Sequence, residues 1–185
     1  KRRAVGEIAR DVEGAGGDIN AWTSFDETVY HLVLPSRHFE RGLDILADAL
    51  QNSAFDAGEL ERELKVVLEE HNTRVANNPS ARLGQQMDAA LHLNHPYGRP
   101  VIGWRHEIET LDRDDALAFY RRFYTPNNAI LVIAGDFETA AMQALAETYF
   151  GPLPAGPSVP RITRCGQRSS IAAFAAAIAT RSLPL

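Results

Sequence analysis

The chain has 185 residues, 45% of them hydrophobic and 23% charged, with a formal net charge of −5 at pH 7. This is the composition of an ordinary globular protein with a core of its own, and the acidic balance gives no sign of nucleic-acid binding. The single cysteine, Cys165, excludes an internal disulfide and a cysteine zinc cluster. No apolar run reaches about eighteen residues and no secretory hydrophobic segment is present, so we expect neither a membrane span nor a targeting segment. The sequence leaves the compartment open.

The first part of the chain predicts a hairpin between two helices. The elements are a helix over residues 4–14, strands at about 18–25 and 27–35, and an amphipathic helix over 37–52. A tight turn near Asp26 joins the two strands. In the first strand Asn20 and Trp22 alternate with Ile19 and Ala21, so one face of the strand could be covered and the other open to a ligand.

Residues 56–78 form the most informative stretch, a long predicted helix whose carboxylates fall on two faces. At about 100° per residue, Glu63 and Glu70 lie within roughly 20° of each other, inside the arc of Val66 and Val67. A carboxylate on a core-facing stripe needs a cation, a metal or hydrogen-bond donors, because its desolvation is costly. The alternative is a helix edge at which both carboxylates reach solvent.

The remaining elements alternate between helices and one apolar strand. They are helices over 79–93, 105–111, 112–124 and 138–150, a loop over 92–104, and a strand in AILVIAGDF. The continuous apolar run of that strand predicts that both of its faces are covered. In the loop, His92 and His95 could join Glu70 and His71 in a metal site. The alternative is that these loop histidines are exposed or act as caps.

Helices packed on a few mostly antiparallel strands make the predicted fold class α+β. We expect a domain over residues 1–153 and a linker with an unassigned tail over 154–185. The nine apolar residues from Ile171 to Ala179 are too few to span a bilayer. They are interpreted as a short packing helix or as a tail without a structural role.

Several segments, in the right order, resemble the M16 (pitrilysin/insulinase) metallopeptidase family, and specifically its N-terminal catalytic domain. They are GGDINAWTSFDETVYHLVLPS, GLDILADALQNSAF with ERELKVVLEE, NHPYGRPVIG and FYTPNNAILVIAGDF. Together they cover roughly residues 4 to 153, and any one alone would be weak. The resemblance implies a LuxS/MPP-like metallohydrolase fold, incomplete at its N-terminus.

The resemblance also implies a site. Glu70 would coordinate Zn²⁺, and Glu63, one heptad earlier, would support it from the second shell. The substrate, a peptide or unfolded polypeptide, would lie as an added strand against one edge of the sheet. The residues of that edge would be Asn20, Ala21, Trp22 and Thr23. A second M16-like domain or subunit is the expected protein partner.

One part of the family pattern is missing from the 185 residues. The H-x-x-E-H helix supplies two histidine ligands and the glutamate that activates water, and no such motif occurs here. We therefore expect a chain truncated before that motif, inactive alone and not holding Zn²⁺ tightly by itself. Three interpretations follow: a zinc endopeptidase domain, a non-catalytic M16-like subunit that binds peptides or pairs with an active homologue, and a fragment that associates through exposed strand edges.

Overall fold

The computed structural model of the protein describes residues 3–158 and, as backbone, residues 173–181. Its helices are α1 (Glu7–Gly14), α2 (Phe39–Asn52), α3 (Ala57–His71), α4 (Pro79–Leu91), α5 (Arg105–Ile108), α6 (Arg113–Phe123) and α7 (Thr139–Phe150). Its strands are β1 (Asp18–Thr23), β2 (Glu27–Pro35), β3 (Ala129–Ala134) and β4 (Ala173–Arg181). The predicted α+β class is confirmed. No helix in the described ranges has the length and apolar character needed to cross a membrane.

The four strands form one sheet in the order β1-β2-β4-β3. The β1–β2 hairpin is antiparallel as predicted, but β4 runs parallel to both of its neighbours. Among the described strands the sheet is therefore mixed rather than mostly antiparallel. The chain between β3 and β4 includes α7, and a parallel pair needs a crossover of this kind.

Strand β4 corrects the interpretation of the C-terminal segment. Ala173–Arg181 is neither a packing helix nor a tail without a role, because it pairs with β2 on one side and β3 on the other. An alanine-rich run has high helix propensity and low strand propensity. Pairing with two flanking strands outweighs that local preference. The proposed boundary at residue 153 stays a prediction.

Two compact units are present, and the first holds the described residues 3–54, 121–158 and 173–181. Its core lies between the sheet and α2. The predicted apolar stripe of that helix is confirmed, and its members are Phe39, Leu43, Leu46 and Leu50, each at most 7% exposed. They cluster with the fully buried Leu32 and Leu34 of β2 and with Met142 of α7. Burying each such side chain contributes about 1.5–3 kcal/mol.

The prediction that both faces of β3 are covered is wrong for the described residues. Leu131 and Ile133 pack against the core, whereas Ile130 and Val132 remain 60% and 48% exposed. Helices pack on one side of this strand, so the apolar run could not by itself reveal the uncovered side. The opposite side of the sheet presents apolar side chains at its surface.

The second unit contains the described residues 55–120. Asp56, Asn78 and Asp112 cap the N-termini of α3, α4 and α6, because their side chains accept hydrogen bonds from backbone N–H groups of the first turn. Few side chains within residues 55–120 are buried: His71, Ile108, Leu117 and Tyr120. Helix α4 buries none, and it carries what we call the α4 stripe, Leu83, Met87 and Leu91, which are 60%, 52% and 73% exposed.

Candidate functional site

Strand β1 is an edge strand of the described sheet and pairs with β2 alone. The turn of the hairpin fixes the register, since the Ser24 N–H donates to the Glu27 carbonyl at 2.8 Å. The Ser24 hydroxyl also accepts from the N–H groups of Asp26 and Glu27, both at 3.3 Å. A small polar residue before a two-residue loop stabilises the turn in this way.

This register decides which backbone groups of β1 point away from β2. Opposed residues in an antiparallel pair alternate between bonded and non-bonded positions, and Ser24 is bonded to Glu27. The N–H and C=O groups of Ile19, Ala21 and Thr23 therefore point to the free edge. The Ala21 N–H donates to the side-chain oxygen of Asn20 at 2.8 Å, which agrees with that assignment. The edge thus offers backbone donors and acceptors to another strand.

The side chains predicted to line this edge lie together on β1, as the sequence implies. Asn20, Ala21, Trp22 and Thr23 are all exposed, and their Cα partners on β2 are His31, Tyr30, Val29 and Thr28 respectively. Ile19 faces the core, because its partner is the fully buried Leu32. Trp22 lies on the other face and is 48% exposed. The predicted covered face of β1 exists only at Ile19, because Ala21 and Thr23 on the same face are exposed.

The second group of candidate residues lies on α3, in the other unit. Glu63 is exposed and Val66 is 57% exposed. The buried-stripe interpretation of the two carboxylates is therefore wrong for the described residues, and the exposed helix edge is what the structure has. A helical projection gives the relative angles of side chains but not which arc neighbouring elements cover. Glu63 has no ion pair among residues 3–158. The nearby cations Lys65 and Arg62 pair with Glu61 and Glu59 instead.

Glu70 is more enclosed than Glu63, with a side chain 38% exposed. Its Oε1 forms an ion pair with Arg74 at 2.9 Å, and no hydrogen bond to Oε2 occurs within residues 3–158. Arg74 lies in a single π-helical turn, Asn72–Ala76, that continues α3. Turns of this type are rare and occur frequently at functional sites. Arg74 is not among the residues predicted for the site, although glutamate four residues before arginine on a helix is a known pairing signal.

Carboxylate oxygen is a normal zinc donor, and Glu70, with one oxygen free of hydrogen bonds, fits one ligand position. No group of three His, Cys, Asp or Glu side chains that could hold a metal occurs in the described part of the chain, so a site built on Glu70 needs further ligands. The suggested cluster with His71, His92 and His95 does not form there. His95 instead caps a turn, with its Nδ1 accepting from the Tyr97 N–H at 3.2 Å.

Comparison with known proteins identifies two matching families along the chain. Residues 1–104 match the model of insulinase, peptidase family M16, and residues 110–175 match that of the peptidase M16 inactive domain. The mitochondrial-processing peptidase subunit beta of Blastocladiella emersonii is 34% identical over 164 residues, which are 89% of this chain and 35% of that protein. An uncharacterized zinc protease of Mycobacterium leprae is 34% identical over 149 residues, 80% of this chain and 33% of that protein. The chain spans about a third of the length of the curated relatives it matches.

Solved structures show the same fold. A protease from Helicobacter pylori has a TM-score of 0.69 at 22% identity, with 88% of this chain and 39% of that chain covered. The peptidase M16 inactive domain from Pseudomonas fluorescens has a TM-score of 0.69 at 21% identity, with 88% and 40% covered. The sequence motifs, the family match over more than half of the residues and the shared fold agree. This chain belongs to peptidase family M16, the insulinase family.

Proposed function

We propose that the full-length protein is a zinc metalloendopeptidase that hydrolyses peptides bound as an added strand on β1. The observation that carries this proposal is the free edge of β1, where backbone groups of Ile19, Ala21 and Thr23 point outward. An extended peptide can pair with such an edge through main-chain hydrogen bonds, which recognise unfolded polypeptide with little regard to sequence. The related proteins named as zinc proteases support the reaction class.

Within this proposal Glu70 is one ligand of the zinc ion, and Glu63 supports the site from the preceding turns of α3. Bound zinc polarises a carbonyl oxygen and lowers the pKa of a water molecule. Asn20, Trp22 and the backbone of Ala21 and Thr23 hold the peptide. Because the 185 residues contain no H-x-x-E-H, the proposal assigns catalysis to the full-length protein and not to this chain alone.

The test is Glu70→Gln in the full-length gene product, with Glu69→Gln as the matched control. Glu69 is the adjacent residue of α3 and is exposed, with its Oε2 accepting from the Asn72 side chain at 3.2 Å. We expect Glu70→Gln to lower zinc affinity by more than about 100-fold, since loss of a ligand exceeds the 10–100-fold cost of losing an outer partner. Peptide hydrolysis should fall with it. Full zinc content and activity in Glu70→Gln, measured by elemental analysis and a peptide assay, would refute the assignment.

A second candidate is a non-catalytic M16-like subunit that binds peptides or pairs with an active homologue. The match of residues 110–175 to the M16 inactive-domain model favours it. Sequencing the locus upstream of the Lys1 codon separates the two functions. An in-frame H-x-x-E-H before Lys1 supports the peptidase, whereas a closed frame or replaced histidines support the non-catalytic subunit.

A further inference from the structure

Glu70 forms an ion pair with a cation on its own helical segment. Arg74 Nη2 lies 2.9 Å from Glu70 Oε1, and this is the one ion pair that Glu70 forms within residues 3–158. Lys65, also on α3, pairs with Glu61 and not with Glu70. A metal ion that approached Glu70 would therefore meet a carboxylate whose charge Arg74 already compensates.

The backbone that carries Arg74 is fixed from two sides. Arg74 lies in the π-helical turn Asn72–Ala76, which continues α3 beyond its last residue. The Asn72 side chain donates to Glu69 Oε2 at 3.2 Å and accepts from the Arg105 guanidinium of α5. These contacts hold the start of the turn against α3 and α5. The ion pair of Arg74 with the carboxylate four residues earlier thus forms between two fixed backbone positions.

We propose that Arg74 competes with zinc for the Glu70 carboxylate and so lowers the zinc affinity of the full-length protein. This inference rests on the proposed function, in which Glu70 is a zinc ligand, and adds a residue that sets how tightly the metal is held. Coordination through Oε1 breaks the ion pair. Coordination through Oε2, which has no hydrogen bond within residues 3–158, keeps Arg74 in place but puts two cations on one carboxylate, and like charges repel. Either arrangement binds zinc more weakly than a glutamate without a counter-cation would.

The size of the effect follows from the exposure of the pair. Arg74 is 73% exposed and Glu70 is 38% exposed, and exposed pairs contribute at most about five-fold to an equilibrium constant. Since zinc can always break the pair, the competition does not exceed that factor. A partner that orients a ligand strengthens metal binding about 10–100-fold, but the long, exposed Arg74 side chain restrains the carboxylate too little for that. We therefore expect competition to prevail, by about three-fold.

The experiment measures the zinc dissociation constant of the full-length gene product by competition with a fluorescent chelator. It is run at low salt and at about 1 M salt, where the Debye length is about 3 Å. We expect Arg74→Met to tighten zinc binding about three-fold at low salt and less than about 1.5-fold at high salt, because salt screens both the ion pair and the repulsion. Arg74→Lys keeps the charge and should bind zinc as the wild type does. Lys65→Met is the matched control, because it removes an ion pair of α3 that does not involve Glu70, and it should leave the constant unchanged.

Arg74→Gln is a second neutral variant, and circular dichroism melts show which variants are folded. The inference is overturned if Arg74→Met and Arg74→Gln bind zinc as tightly as the wild type or more weakly, since Arg74 would then not compete with the metal. A gain in affinity that persists at high salt also overturns it, because salt screens an effect of exposed charges.

Glu70→Gln in the same titration separates this inference from the proposed function. If Glu70→Gln loses zinc while the neutral Arg74 variants show no gain, only the competition is refuted. If Glu70→Gln keeps the zinc affinity of the wild type, or if the wild type binds no zinc, the assignment of Glu70 fails and the competition fails with it.

Discussion

Removal of Arg3 is expected to destabilise the first unit, because the buried carboxylate of Asp48 then loses its ion pair with Arg3. The Arg3 guanidinium, on a side chain 14% exposed, contacts Asp48 at 2.9 Å and also pairs with Asp44. Asp48 is only 5% exposed, and its other oxygen accepts from the Asn52 side chain at 2.8 Å. Burial acts to lower the pKa of Arg3, but the hydrogen bonds and charges of Asp44 and Asp48 outweigh it and raise that pKa. The Arg3 guanidinium therefore keeps its charge at neutral pH.

The expected loss of unfolding free energy in Arg3→Met depends on the hydrogen bonds that Asp48 retains in that variant. Breaking a fully buried ion pair from one side costs about 3–5 kcal/mol. Asp48 retains its bond from Asn52, and the partly exposed position of Arg3 admits water, so we expect about 2 kcal/mol for Arg3→Met. Adding Asp48→Asn should recover part of this loss, because the buried charge is then gone.

The assay is a urea titration of the 185-residue chain followed by circular dichroism, repeated at two protein concentrations to separate unfolding from association. Arg62→Met is the control, since Arg62 forms an ion pair with Glu59 in which both side chains are well exposed. Exposed pairs are worth about 0–1 kcal/mol. If Arg3→Met lowers the free energy of unfolding no more than Arg62→Met does, the reasoning is refuted. Strict additivity of the unfolding free energies of Arg3→Met and Asp48→Asn would also refute it.

Three further outcomes are expected. Gly17→Ala should lower the free energy of unfolding by about 2 kcal/mol in the urea titration, because the added Cβ would overlap the Val33 carbonyl oxygen. Gly14→Ala has open space around its Cβ and should be neutral or stabilising. Equal effects of the two substitutions would contradict this. The hydrogen bond and charge of Lys65 lower the pKa of Glu61, so this group adds stability above its ordinary pKa that is lost as pH falls through the lowered value. An NMR titration of Lys65→Met should show the Glu61 pKa raised, and an unchanged value would count against the ion pair. The 185-residue chain should elute in size-exclusion chromatography at an apparent mass above 20.4 kDa, because the β1 edge and the α4 stripe are exposed. Elution as a monomer at high protein concentration would contradict this.

The hairpin and α2 could be predicted from the sequence because their signals are local. Alternation along β1 and β2, the turn at Ser24–Glu27 and the stripe from Phe39 to Leu50 all depend on residues close in the chain. The heptad spacing of Glu63 and Glu70 is equally local. Whether those carboxylates are buried depends on elements far along the chain, and here the geometric argument for burial failed.

Strand β4 and the exposed face of β3 also could not be predicted from local sequence. The alanine-rich segment is a strand because β2 and β3 lie on either side of it, and neither neighbour is visible in its own composition. The apolar run of β3 suits a strand covered on both faces, yet Ile130 is 60% exposed. Both differences arise from long-range pairing and packing, which outweigh local preference.

The exposure of β1 is best explained by its proposed role. Five of its six residues are exposed and only Ile19 is partly buried, whereas the neighbouring β2 carries the fully buried Leu32 and Leu34. A strand held by its hairpin and by one side chain gains little stability from burial, so the burial that stabilises this hairpin lies in β2, and β1 stays open for the proposed peptide pairing. An uncovered edge with outward N–H and C=O groups is an association hazard in a protein that does not use it. Natural edges are commonly protected by charge or proline, and DINAWT has a single charge at its first residue and no proline. The Asn20 side chain bonded to the Ala21 N–H is the protection that β1 does have, and a peptide carbonyl would replace that side chain at the same donor.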